Sequence, residues 1–271
     1  MINRICTFYF SGTDTTKKVV TKLSKIVAEK LGVEEIYNYN FTTPKMRETN
    51  PEFKKGDLVI SAVPTIAGRV PNLLLPYLQN IQAQGAIAVP IAMYGNRNYD
   101  DCLIELRDLL KQSGMKIIAA GAFIGEHSFS EILAKNRPDE KDFKILEEFG
   151  EKICKKIKNN NLEEPKIKGE EPYRFYFTPR DRHGNGINFV KIKPNTNLNL
   201  CIDCKKCARE CPLGSINFEK VWEIPGKCMK CCACIKKCPT KAKYFDDEGY
   251  IYHMHELEEM YIDRKEPEYF I

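Results

Sequence analysis

The chain has 271 residues, long for one domain and comfortable for two, and 43% hydrophobic with 29% charged residues fits a folded rather than a disordered protein. Its most apolar stretches, near 87–93 and 117–124, fall far short of the ~20 residues of a membrane span, and the opening MINRICTFYF reads as a first strand rather than a signal peptide. The expectation is therefore a cytoplasmic protein with no membrane association, and the formal charge of +5 points to nucleic acid only until the cysteines are considered.

Residues 3–10 are an apolar run rich in β-formers, followed by the polar turn 11–16. Val19, Val20, Leu23, Ile26, Val27 and Leu31 recur at helical spacing, and Gly32 stops that helix. Further strands are expected at 33–37, 58–63, 86–93 and 117–124, with helices at 73–81, around Leu103–Leu110, and at 143–157. Strands alternating with helices give an α/β domain over 1–158, a doubly wound, five-stranded parallel sheet of flavodoxin-like order 2-1-3-4-5. Residues 159–172 are polar and aperiodic and read as a linker. Residues 173–194 read as a connecting hairpin of two strands around a Gly- and Asn-rich turn. A small α+β domain at 195–247 carries most of the cysteines, and 248–271 is a tail with one short helix at 255–264 that Pro267 ends.

Eight of the twelve cysteines repeat one spacing. Cys201, Cys204, Cys207 and Cys211 follow C-x2-C-x2-C-x3-C with Pro212 next; Cys228, Cys231, Cys234 and Cys238 repeat it with Pro239 next. In a chain of this length and a reducing compartment, that favours metal over disulfides. Short gaps let three thiolates from one tight loop reach three irons of a cube, and the fourth, followed by proline, ligates the other cluster. Cluster one then takes Cys201, Cys204, Cys207 and Cys238; cluster two takes Cys228, Cys231, Cys234 and Cys211. Zinc knuckles share C-x2-C but usually add histidine and do not explain triplets plus Cys-Pro, twice. Cys232 interrupts no spacing and is expected to be a packed or peripheral thiol; Cys6, Cys102 and Cys154 are expected in the core, and Trp222 over a cluster or in the core. Eight thiolates contribute about −8 and two oxidised cores about +4, so the loaded chain falls to about +1. Nucleic acid is then not the expected partner. Between Cys201 and Lys243, ten Lys or Arg stand against four Asp or Glu, which suits an acidic redox partner.

In an open parallel sheet, ligands sit beyond the carboxyl ends of the strands at the switch point. The loops there are 11–16, rich in hydroxyls before a helix and suited to phosphate, then 64–69 and 94–99, whose glycines and tyrosine suit a flat ring. They sketch an FMN site; a dinucleotide is disfavoured because no G-x-G-x-x-G follows the first strand.

On the segments FYFSGTDTTKKV, VPTIAGRVP, YGNRNYDDCLIELRD, GAFIGEHS, KKCPTKAKYFDD and RKEPEYF, together with both cysteine motifs, the chain resembles flavodoxin–ferredoxin fusion proteins. In these a flavodoxin-like domain precedes a bacterial-type ferredoxin with two [4Fe–4S] clusters. The resemblance implies FMN and electron transfer between flavin and clusters. Phosphate binding falls to Ser11, Thr13, Thr15 and Thr16, and ring binding to Ala67, Gly68, Tyr94, Gly95 and Asn96. Two departures stand out. Asp14 and Thr15 replace the Gly-Asn of the family's S-x-T-G-N-T loop, and Ile66 stands where the family often has an aromatic. Asp14 could cap the following helix, pointing away from a phosphate. Arg69 and Arg97 are candidates to neutralise a flavin or its phosphate, or are solvated. His127 follows the last strand, near where a flavin edge would lie, and is a candidate proton donor there or an ordinary surface histidine; His253 and His255 are expected at the surface.

Three functions fit: an electron carrier coupling flavin and clusters, a flavin-dependent reductase of a small substrate fed by the clusters, and a redox-sensing or docking protein with a vestigial flavin site. No nucleophile–base pair stands out, which favours the first.

Overall fold

The computed structural model describes residues 2–271. Its main sheet is built from β1 (Arg4–Tyr9), β2 (Ile36–Asn40), β3 (Asp57–Pro64), β4 (Ile87–Tyr94) and β5 (Ala120–Ile124), all parallel, in the spatial order β2-β1-β3-β4-β5. The central strands β3 and β4 are buried along nearly their whole length, which is why they read as continuous apolar runs. Alternation then splits their side chains between two cores. Ile5, Tyr9, Leu58 and Ile60 pack under α1 (Thr15–Leu31) and α3 (Glu140–Lys158). Cys6, Phe8, Val59 and Val63 face the other core, shared with α2 (Cys102–Gln112).

The sheet has seven strands, not five. Residues Lys116–Ile117 form a separate two-residue strand on β4, so the expected strand 117–124 is broken. The chain's end, β6 (Glu268–Phe270), adds an antiparallel edge to β5, with Tyr269 opposite Gly121. A Cβ on Gly121 would lie 2.7 Å from the Phe123 ring, so glycine suits this position of β5. Tyr269 stacks on Phe149 at 5.2 Å. Glu268, Tyr269 and Phe270 after Pro267 are too short a run to read as a strand; the open edge of β5 makes them one.

Other elements also depart from expectation. The helix at 73–81 shrinks to a 3-10 turn at Asn72–Leu74 and one α-turn at Leu75–Leu78, because Pro76 sits inside the run. The tail helix is α4 (Glu248–Met260), earlier than 255–264, capped by the Asp247 carboxylate accepting from Tyr250 N at 2.9 Å. Residues 159–172 do not hang free. Ile167 is buried, Lys156 Nζ donates to Glu163 O, and Asp101 accepts from Glu170 N.

The expected hairpin at 173–194 contains no strand; an isolated bridge joins Arg180 to Gly186, and a 3-10 turn covers Phe189–Lys191. Its first part is an extended strap held by side chains rather than by a strand partner. Asp101, fully buried, accepts from Arg174 N at 2.8 Å and from its guanidinium. The rings of Tyr173 and Tyr176 both stack on Arg69, at 4.6 and 5.0 Å.

The cysteine-rich segment folds as two copies of one pattern. Asp203 and Lys205 adopt left-handed backbone, as do Lys230 and Cys232 at the same positions of the second motif. Each copy runs into a single helical turn, Lys206–Arg209 and Ala233–Lys236. Gly214 and Lys241, at matching places after the fourth cysteine of each copy, are also left-handed. This repeat explains Cys232: it occupies the place of Lys205 and is buried against Tyr250 and Lys230 O. Among the described residues no helix is long and apolar enough to cross a membrane.

Candidate functional site

A cavity of ≈ 260 Å³ opens where the carboxyl ends of β1, β3, β4 and β5 release their loops. The first loop contributes Gly12, Thr13, Thr15 and Thr16, the second residues 64–68, the third Tyr94, Gly95, Arg97 and Asn98, and the fourth residues 125–129. Seven of the nine residues expected to bind a flavin therefore meet at one space. Ser11 and Asn96 do not line it. Ser11 Oγ accepts from Lys17 N at 3.1 Å, pinning the start of α1. Asn96 Nδ2 donates to Tyr261 O and Asp263 O, and its Oδ1 accepts from Lys265 N, so this side chain staples the tail to the third loop.

Local geometry is specific. A Cβ on Gly95 would lie 2.3 Å from the His127 ring, so only glycine lets that loop pass the imidazole. Ala67 and Asp14 hold left-handed backbone without being glycine. Asp14 makes no capping hydrogen bond to α1; its carboxylate faces Lys237 at 3.3 Å, and Lys237 also pairs with Glu210. Arg69 is tied to Glu105, and Arg97, paired with Asp100, lies over Phe177 at 4.8 Å. The Thr65 hydroxyl, buried at the cavity, has no hydrogen-bond partner of ordinary geometry among the described residues.

Neither His127 nor His253 is a surface residue. His127 lines the cavity, and burial, reinforced by the neighbouring His253 and Lys236, pushes its pKa down to about 4. His253 is buried and also lowered by desolvation, against the opposing pull of Glu256 at 3.2 Å. His255 is exposed.

The far wall of the same cavity is the second cysteine motif: Met229, Lys230 and Cys231 line it. A Cβ on Gly12 would lie 3.4 Å from Cys231 Cβ. The first loop and the cysteine motif thus meet closely. Around them, Arg47 donates to Pro212 O at 2.5 Å, and Lys236 bridges Glu126 and Ser130 O.

Two further small cavities are ringed by cysteine. Cys201, Cys204, Cys207 and Cys238 line one; Cys211, Cys228, Cys231 and Cys234 line the other, with Cys232 beside them. Each quartet draws three members from one motif and the fourth from the other. Matching backbone donors point at the fourth sulfurs: Ser215 N to Cys211 Sγ at 3.4 Å and Ala242 N to Cys238 Sγ at 3.2 Å. Burial alone would raise the Cys238 thiol, but donors from Thr240, Ala242 and Lys243 bring it below the ordinary range. Burial pushes Cys231 and Cys234 well up, so thiolates there need a cationic centre to balance them. Among the described residues no three His, Cys, Asp or Glu side chains converge as a single metal ion requires; the quartets surround spaces. Thr196, at the first of these spaces, carries another buried hydroxyl without a partner among the described residues. Cys6, Cys102 and Cys154 are buried in the sheet domain. Trp222 is 46% exposed, outside the core, and lines neither cysteine-ringed space.

No family model matches the chain. A 44-residue stretch, 16% of this chain, is 52% identical to a component of the ion-translocating oxidoreductase complex of Methanosarcina acetivorans and covers 17% of that protein. A 73-residue alignment, 24% of this chain, is 37% identical to UacF of Escherichia coli, named as an oxidoreductase, and covers 11% of it. The matches thus span a small part of these relatives' own lengths. Among solved structures, an archaeal flavodoxin is 15% identical and covers 57% of this chain and 99% of its own, with a TM-score of 0.39. The rubredoxin oxygen:oxidoreductase of Desulfovibrio gigas is 18% identical over 58% of this chain and 36% of its own, with a TM-score of 0.41.

Proposed function

We propose that the chain is an electron-transfer protein joining FMN to two [4Fe–4S] clusters. The observation that carries this reading is the shared cavity: loops at the switch point of the sheet and the second cysteine motif line one space, with Gly12 against Cys231. The hydroxyls of Thr13, Thr15 and Thr16 with the start of α1 would hold the phosphate, and residues 64–68 with Tyr94 and Gly95 the ring system. The flavin supplies one- and two-electron chemistry when bound, and the cysteine quartets suit cubes that exchange single electrons. Crossed ligation brings the two quartets together, and Cys204, the exposed member, puts the first cluster in reach of external carriers. The two segment-level likenesses to oxidoreductases support a redox role.

Anaerobic purification with iron, sulfide and flavin measured on one sample tests the reading. The expected composition is about eight irons and eight sulfides per chain, with one FMN. Zinc in those positions, or full iron with no flavin uptake, defeats the cluster or the flavin half respectively.

A sharper test addresses the phosphate loop. Asp14 places a carboxylate at the end of the helix where an anion would sit, in backbone that disfavours a side chain. Asp14→Gly removes the like charge and relaxes the backbone, while Lys237 keeps its pairing with Glu210. FMN affinity, read by flavin fluorescence quenching, is expected to rise about tenfold, ~1.4 kcal/mol. Unchanged or weaker binding places the phosphate elsewhere.

A further inference from the structure

The loops after β1, β3 and β4 offer the cavity no exposed aromatic face. Phe10 after β1 is fully buried, Ile66 occupies the middle of the second loop, and Tyr94 is buried with its ring against Tyr99, centroids 5.5 Å apart. Aromatic faces reach the cavity from elsewhere in the chain. Phe177 and Phe189 come from the strap and its following turn, His253 from α4, and Phe129 from the loop after β5; all four line the cavity.

They also form one connected group. Phe177 lies nearly parallel to His253, at 6.0 Å and 27°. Phe189 meets His253 edge-on at 5.4 Å and lies nearly parallel to Phe129 at 6.0 Å. The Phe177 end is firmly held. Phe177 N donates to Ala67 O at 2.9 Å, tying the strap to the second loop itself. Arg97 covers the Phe177 ring at 4.8 Å. Just upstream, the buried Asp101 carboxylate fixes the strap through the Arg174 guanidinium.

We infer that Phe177, Phe189 and His253 form the ring-binding cover of this cavity, and that they take a flat conjugated heterocycle, the isoalloxazine of the proposed FMN. The inference rests on the FMN reading and adds to it the residues that replace the missing loop aromatics. Stacking on aromatic faces favours a flat ring over other occupants. A ring held under this cover is shielded from solutes in bulk water.

The test is FMN titration of the reconstituted, iron-loaded chain, followed by flavin fluorescence and by iodide quenching of whatever emission remains. Phe177 is 42% exposed, so Phe177→Ala leaves no buried void and the fold is expected to persist with its full iron content. In this variant the dissociation constant is expected to rise tenfold or more, and bound flavin to become accessible to iodide. Phe177→Tyr, which keeps the aromatic face, is expected to bind within about twofold of the wild type, whereas Phe177→Leu is not. Phe189→Ala serves as the second variant and is expected to shift binding in the same direction. Equal affinity and equal iodide protection in wild type, Phe177→Ala and Phe189→Ala overturn the cover while leaving the FMN reading intact. A wild-type chain with eight irons that takes up no FMN overturns both.

Discussion

In Cys238→Ala, the iron content is expected to fall from about eight to about four per chain, and the cluster lost is the one whose other ligands lie at 201–207. Cys238 belongs by sequence to the second motif. By position it completes the cavity formed by Cys201, Cys204 and Cys207, and Ala242 N donates to its sulfur. Cys211→Ala is the reciprocal experiment and should cost the cavity ringed by Cys228, Cys231 and Cys234. The two variants are distinguishable because Cys231, which adjoins the loop at Gly12, belongs to the second cavity. Electron paramagnetic resonance of each variant, reduced anaerobically, identifies the surviving cluster by whether it couples magnetically to a flavin at that loop. If Cys238→Ala instead lost the cluster held by its own motif, the crossed assignment would fail. In the second quartet the reciprocal loss is reinforced by burial, which pushes the remaining Cys231 and Cys234 toward their neutral form.

The parts legible in the sequence are those encoded locally. Cysteine spacing and the proline after each fourth cysteine are contiguous signals, and the quartets follow from them. The apolar runs of β1, β3 and β4 are equally local, since a strand buried on both faces needs no partner to be recognised. The strap and the tail are not legible because their anchors are single side chains far away in sequence. Asp101 holds Arg174, and Asn96 holds Tyr261 and Asp263; nothing in the periodicity of 173–178 or 261–267 announces a buried carboxylate or amide elsewhere. The place of Asn96 in a loop beside glycine points to the ring, yet the tail reaches it first and engages both ends of its amide. The polar sequence around His253 points to the surface, yet α4 turns it, with Leu257 one turn on, toward the cavity. The cover aromatics share this origin: Phe177 and Phe189 lie in an irregular segment, and it takes the long-range bond from Phe177 N to Ala67 O to seat that segment at the cavity.

Arg137→Ala is expected to lower the thermal midpoint of the iron-loaded chain by about 6–12 °C, from ~3 kcal/mol at ~2–4 °C per kcal/mol for a chain of this size. Arg137 is 5% exposed and its partner Asp142 1%. The guanidinium binds both carboxylate oxygens of Asp142 and donates to Lys265 O at 2.7 Å. Its removal strands a carboxylate away from water, and such a loss typically costs ~3–5 kcal/mol. The lower figure applies because Arg264 stays within 3.4 Å of Asp142. Asp142 also accepts from Asp139 N in the capping box that starts α3, so the disturbance reaches that helix. Arg137→Lys should recover only part of the loss, since an ammonium cannot form the paired contacts of a guanidinium. The double variant Arg137→Ala, Asp142→Ala should be less destabilised than the sum of the singles, because no charge is left buried. Arg137 O accepts from Glu126 N at 2.9 Å, and His127 N donates to Leu133 O, so this corner fixes the loop that carries His127 and Phe129 to the cavity. Weaker FMN binding should therefore accompany the lower midpoint. A shift under about 3 °C, roughly 1 kcal/mol on the same scale, would mean that the corner is held by the tail strand β6 and the capping box without the buried pair.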